Sequence, residues 1–144
     1  MALVGGGGSP NVAGGNPVGG GTSLNIIGDH AYAYSGNHAA NTTAISAMKF
    51  TTGNYIFEGI LQANMASQNA ADGGSTAVAI AQIELNGSII AHLHAGNTGA
   101  DSLTSVDQPL ILAPFTDVVV KLYSTENEAA RFMTATLTGR ISNA

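Results

Sequence analysis

From Ser23 to Ile141 the chain switches between apolar and polar residues with a period of two, and that alternation confines it to β structure. Successive side chains on a strand point to opposite faces, so each run offers one dry face and one wet one. His30 to Ser35 sets Ala31 and Ala33 against His30, Tyr32 and Tyr34. Thr42 to Phe50 is a second extended run, closed by a turn at Thr51-Thr52-Gly53-Asn54. In Tyr55 to Met65, Tyr55, Phe57, Leu61 and Met65 share one parity, while Glu58, Gln62 and Asn64 share the other. Gln68 to Ser75 reads as a loop. Thr76 to Leu85 then aligns Ala77, Ala79, Ala81, Ile83 and Leu85 on one face. Asn86-Gly87 is a strong hairpin signal, because both central positions of a type I′ turn need positive φ.

Ser88 to His94 is the returning strand, and Ala95 to Asp107 reads as a polar loop. Pro109 to Ala113 is short and extended. Thr116 to Tyr123 places Val118, Val120 and Leu122 together, and Ser124 to Ala130 reads as a polar turn. Arg131 to Ile141 alternates Met133, Ala135, Leu137 and Ile141 with Phe132, Thr134, Thr136 and Arg140. About eight short strands separated by turn signals predict an antiparallel jelly-roll sandwich or barrel. No helical stripe of useful length interrupts them.

Residues 1–22 differ in composition from the expected domain at 23–144. Glycine runs at Gly5 to Gly8, Gly14-Gly15 and Gly19 to Gly21 are broken by Pro10 and Pro17, so an extended arm is expected. Leu3, Val4, Val12 and Val18 are spaced along it as apolar pegs that a partner surface could hold, with the prolines lowering the ordering cost.

Composition favours assembly. Hydrophobic residues make up 44% of the 144, yet aromatics are only 6%, Trp is absent and alanine is prominent. Small side chains bury little area each, so burial between subunits is expected to complete the core. Val78, Ile80, Val119 and Phe132 are the candidate interface residues. Charge is sparse at 9%, with a net charge of −5 and only four basic residues: Lys49, Lys121, Arg131 and Arg140. They form no run that could follow a phosphate backbone or an anionic membrane, so neither partner is expected. The chain has no cysteine, no apolar run of roughly 20 residues, and no basic-then-apolar leader. It reads as soluble and made in a cytoplasm.

Three kinds of chemistry can be weighed. His92-Leu93-His94 puts two imidazoles on one strand face, within reach of one metal. Cupins use such a pair with a glutamate soon after, but Ala95, Gly96, Asn97 and Thr98 follow here, and His30 and His38 are the remaining candidates. No serine lies in Gly-x-Ser-x-Gly, and the acids are scattered. Gly5 to Gly8 lacks the Lys-Ser/Thr ending of a phosphate loop. The expectation is a non-enzymatic protein with no cofactor and no metal.

Five stretches carry a family likeness: His30 to Gly36, Phe50 to Gly59, the Ile83 to Gly87 hairpin, Pro109 to Thr116, and Thr136 to Ile141. In order and style they resemble the jelly-roll decoration (cement) proteins that trimerise on the heads of tailed bacteriophages, over roughly residues 28–142. The resemblance implies a homotrimer on the outer surface of the virion capsid, clamping neighbouring major capsid subunits. It also implies an N-terminal arm along the shell, here through Leu3, Val4, Pro10, Val12, Pro17 and Val18. Arms that bind genome are basic, whereas this one has no Lys or Arg before Lys49. Two rivals remain: a trimeric fibre or receptor-binding head gripping host glycans through Tyr32, Tyr34 and the two long loops, and a cupin-like metal site at His92 and His94.

Overall fold

The computed structural model describes residues 24–67, 77–96 and 103–143. The arm positions Leu3 to Val18, the Gln68–Ser75 loop and the segment 97–102 lie outside the described residues. Ten antiparallel strands and no helix are found among the described residues. They are β1 (Asn25–Ile27), β2 (His30–Tyr34), β3 (His38–Ala40), β4 (Ile45–Thr51), β5 (Tyr55–Ser67), β6 (Val78–Leu85), β7 (Ser88–Gly96), β8 (Leu103–Leu112), β9 (Asp117–Ser124) and β10 (Glu128–Asn143).

The topology is one long hairpin rolled into a sandwich. Its tip is Asn86-Gly87, with φ of 50° and 82°, the positive values a type I′ turn requires. β6 and β7 flank that tip; β5 and β8 pair outside them, then β4 and β9, then β2 and β10. Folding this nested ladder over itself gives sheets ordered β1-β2-β10-β5-β8, with β3 on β10, and β4-β9-β6-β7. Eight long strands in that order are a jelly roll. The expected count of about eight becomes ten because two three-residue strands, β1 and β3, extend the larger sheet.

Facing side chains of the two sheets make the core: Phe57, Leu61, Met65, Leu112, Met133 and Leu137 from the larger sheet, and Met48, Ile83, Val118, Val120 and Leu122 from the smaller. Alanines at 31, 33, 63, 79, 81, 95 and 135 complete both inner surfaces and let the sheets approach closely. Gly59 and Gly139 sit opposite each other in register on β5 and β10, on the inward face. A Cβ on Gly59 would stand 2.5 Å from the Phe57 ring, and one on Gly139 would stand 2.8 Å from it. The glycine pair is therefore the floor of a slot that the Phe57 ring fills.

Two boundaries depart from expectation. The Ala95–Asp107 loop is shorter than read, because β7 runs to Gly96 and β8 begins at Leu103. Its polar residues Ser105 and Asp107 lie on the wet outer face, while Val106 faces Ala63 and packs on the core. Likewise β10 begins at Glu128, which leaves 125–127 as the turn rather than Ser124–Ala130.

Candidate functional site

Three turns meet at one end of the sandwich and are tied by short-range chemistry. Thr52 N donates to the Thr116 carbonyl at 3.0 Å, and Thr116 N donates to Thr52 Oγ1 at 2.8 Å. Both hydroxyls donate to the Ala113 carbonyl, at 2.8 and 2.9 Å. Asn86 N donates to the Asp117 carbonyl at 2.8 Å, and Asp117 N returns a bond to Asn86 Oδ1 at 2.9 Å. The frame is rigid because buried Thr52 and Thr116 satisfy the backbone between strands.

On this frame stands Phe115, with φ of 57° and 68% of its surface exposed. A non-glycine residue in the left-handed region costs about 1–2 kcal/mol, and here the ring is not buried in return. Ile111, also 68% exposed, lies four residues earlier on β8. Ile89 and Ile90, both exposed, open β7 just after the Asn86-Gly87 turn, where the ladder shifts register. Ile60 extends the patch, since it faces Pro109 directly and Ile111 diagonally. Most of the exposed large apolar side chains therefore gather towards one end of the molecule, along the β7–β8 side. Patches of this kind mark interaction surfaces.

The outer face of the four-stranded sheet carries a polar row. Lys121 Nζ lies 2.9 Å from Glu84 Oε2, Gln82 Nε2 donates to that oxygen at 2.6 Å, and His92 Nε2 lies 3.2 Å from Gln82 Oε1. The Lys121 hydrogen bond, opposed by burial and aided by Gln82 and by the lysine charge, holds the Glu84 carboxyl below its ordinary 4.5. A depressed carboxylate adds stability that is present above its unfolded pKa and is lost as pH falls through the lower folded value. We expect the thermal midpoint of the native chain to exceed that of Glu84→Gln at neutral pH. The gap should narrow as the pH falls below the ordinary carboxylate range and through the lower folded value. A gap that does not change with pH would remove the ion pair as its cause.

The histidines weighed as ligands of an alternative metal site do not come together. His92 and His94 point outward from β7, His30 lies on the other sheet, and His38 Nε2 sits 2.8 Å from the Ser35 carbonyl. No group of three or more His, Cys, Asp or Glu side chains able to hold a metal occurs among the described residues. The candidate interface residues divide between faces. Val78, Ile80 and Val119 belong to the outer side of the four-stranded sheet, and Phe132 to the outer side of the six-stranded sheet. Val78, Val119 and Phe132 are half-buried, whereas Ile80, beside Tyr123 and His94, is only 7% exposed and has little left to cover.

Tyr32 and Tyr34 do lie together, with ring centroids 5.2 Å apart and planes at 37°. Tyr55 is on the inward face and packs against the core. An open, shallow hollow of about 340 Å³ adjoins the tyrosine pair, lined by His30, Ala31, Tyr32, Tyr34, Thr138, Gly139 and Arg140. At its rim Arg140 Nη1 lies 3.0 Å from Asp29 Oδ2, and His30 Nε2 lies 3.5 Å from Asp29 Oδ1. Alternation alone could have found two further features. Arg131 has the parity of Met133 and is wholly buried, and Phe115 follows a proline at a turn where glycine is usual.

No protein-family model matches this chain, and no curated protein matches it. Among solved structures it is similar to dimeric latent PorU from Porphyromonas gingivalis, at 14% identity and a TM-score of 0.43, over 89% of this chain and 14% of that one. It is also similar to the functional form of the mosquito-larvicidal Cry4Aa toxin from Bacillus thuringiensis, at 10% identity and a TM-score of 0.40, over 84% of this chain and 19% of that one. The chain spans less than a fifth of either protein. Similarity at this level does not bear on what the chain does.

Proposed function

We propose that this chain is a non-enzymatic virion structural protein, a cement protein that trimerises on the outer surface of a bacteriophage capsid and clamps neighbouring major capsid subunits. The observation that carries the reading is the apolar end built from Phe115, Ile111, Ile89 and Ile90. Covering the exposed half to two-thirds of one such side chain contributes about 1–2 kcal/mol, so this end is worth hiding against a larger surface. Phe115 holds its ring out at a backbone cost, as expected when exposure itself is useful. Half-buried Val78 and Val119 on one outer face and Phe132 on the other are apolar residues that a ring of copies would cover. In a three-fold assembly, one face of each copy meets the other face of the next. The family likeness of the segments, the low charge and the absence of a basic run point the same way.

The test uses the full chain and undecorated heads of the phage that encodes it. The native protein should run as a trimer by native mass measurement and co-sediment with the heads. Phe115→Gly should stabilise the fold by about 1 kcal/mol through relief of the positive φ, while attaching more weakly. A native protein that stays monomeric and remains in the supernatant would end the proposal.

A further inference from the structure

We infer that the outer face of the six-stranded sheet binds a neutral saccharide, stacked on Tyr32 and Tyr34 and hydrogen-bonded by Asp29 and Arg140. Three independent features converge there. The first is shape: the hollow is open and about 340 Å³, room for one or two sugar rings. The second is the aromatic pair. Pyranose rings present a face of C–H groups that packs on tyrosine, and Tyr34 is more than half exposed while touching Tyr32. The third is the rim. Arg140 on the lining donates, and Asp29 behind it, 3.0 Å from Arg140 and 3.5 Å from His30, accepts, so the rim offers a donor and an acceptor to neighbouring sugar hydroxyls. The Thr138 hydroxyl, on the lining between Tyr32 and Arg140, adds a further polar group.

The charge pattern selects the class. An acidic sugar would bring its carboxylate to an arginine already neutralised by Asp29, on a chain of net charge −5. Neutral hexoses or N-acetylhexosamines pay no such repulsion. Position also matters. The hollow lies on β2 and β10, while Ile60, Pro109 and Ile111 lie on β5 and β8 of the same sheet. The two regions adjoin, because Thr138 and Arg140 on the lining of the hollow pair with Ile60 and Glu58 on β5, and Glu58 pairs with Ile111 on β8. The saccharide site rests on its own lining residues and does not depend on the cement reading.

The test is an NMR titration of the full chain with lactose, maltotriose, mannotriose and chitotriose, and with sialyllactose as the acidic counterpart. At least one neutral sugar should shift the amides of Tyr32, Tyr34, Thr138 and Arg140 saturably, with a dissociation constant below about 10 mM. Tyr34→Ala should weaken that binding by about tenfold or more, and Arg140→Ala should weaken it independently. Both replace exposed side chains, so unchanged thermal midpoints will verify that the variants are folded. No saturable shift with any neutral sugar would overturn the inference. So would binding that both variants leave intact, or a preference for sialyllactose over lactose.

Discussion

Gly59→Ala should cost the sandwich about 3 kcal/mol, the upper end of what overpacking a core costs, read as a lower urea midpoint with an unchanged slope. The new methyl group would stand 2.5 Å from Phe57 Cζ and 2.8 Å from Gly139 Cα, so it meets both a ring and a backbone. The ring is fully buried and has nowhere to swing. The backbone can yield only by parting β5 from β10, which loses ladder bonds at the centre of the larger sheet. Gly139→Ala should behave alike, because its Cβ would stand 2.6 Å from Gly59 Cα. Adding Phe57→Leu should recover part of the loss in either background, since a smaller side chain vacates the slot. Strictly additive effects would show that ring and glycines do not share the space.

Arg131→Ala should be comparably severe, at about 3–5 kcal/mol. Arg131 is the largest wholly buried side chain among the described residues, in line with Met133 and Ala135 on the inward face of β10 and opposite Ser67. A buried guanidinium persists only when its donors are satisfied, and Arg131 is partnered. Truncation leaves those partners unpaired and opens a cavity as well. Lysine should not rescue it, since a point charge on a thin stem replaces neither the planar donors nor the packing. Arg131→Met should recover more than Lys if volume dominates, and less if the partners dominate. Thermal or urea unfolding of the three variants separates these cases, and an alanine variant within about 1 kcal/mol of the native chain would refute the structural role.

Much of the fold was legible because a strand writes its orientation into every second residue. Val118, Val120 and Leu122 were read as one face and are all buried, and the alternating alanines of β6 line the core as expected. Asn86-Gly87 was read as a hairpin and proves to be the tip around which every long strand pair is nested. Legibility failed where a wet face mimicked a loop, as at Ser105 and Asp107 on β8. The candidate site was less legible. Tyr32 and Tyr34 could be paired from their spacing, but Asp29 and Arg140 are far apart in sequence and meet only because β2 lies on β10. Ile111, Ile89 and Ile90 are each unremarkable in sequence, and what sets them apart, with Phe115, is that they stand exposed near the same end of the molecule.

By itself the sequence determined that this chain forms two-faced strands joined by tight turns, with small side chains on the dry faces. Backbone geometry and turn chemistry are local and act wherever those residues stand. Only the tertiary structure decided which strands became neighbours, and that an apolar end and a tyrosine-lined hollow arose on the outer face of one sheet. Those outcomes depend on contacts between residues distant along the chain, and the period of two carries no record of which strand a given face will meet.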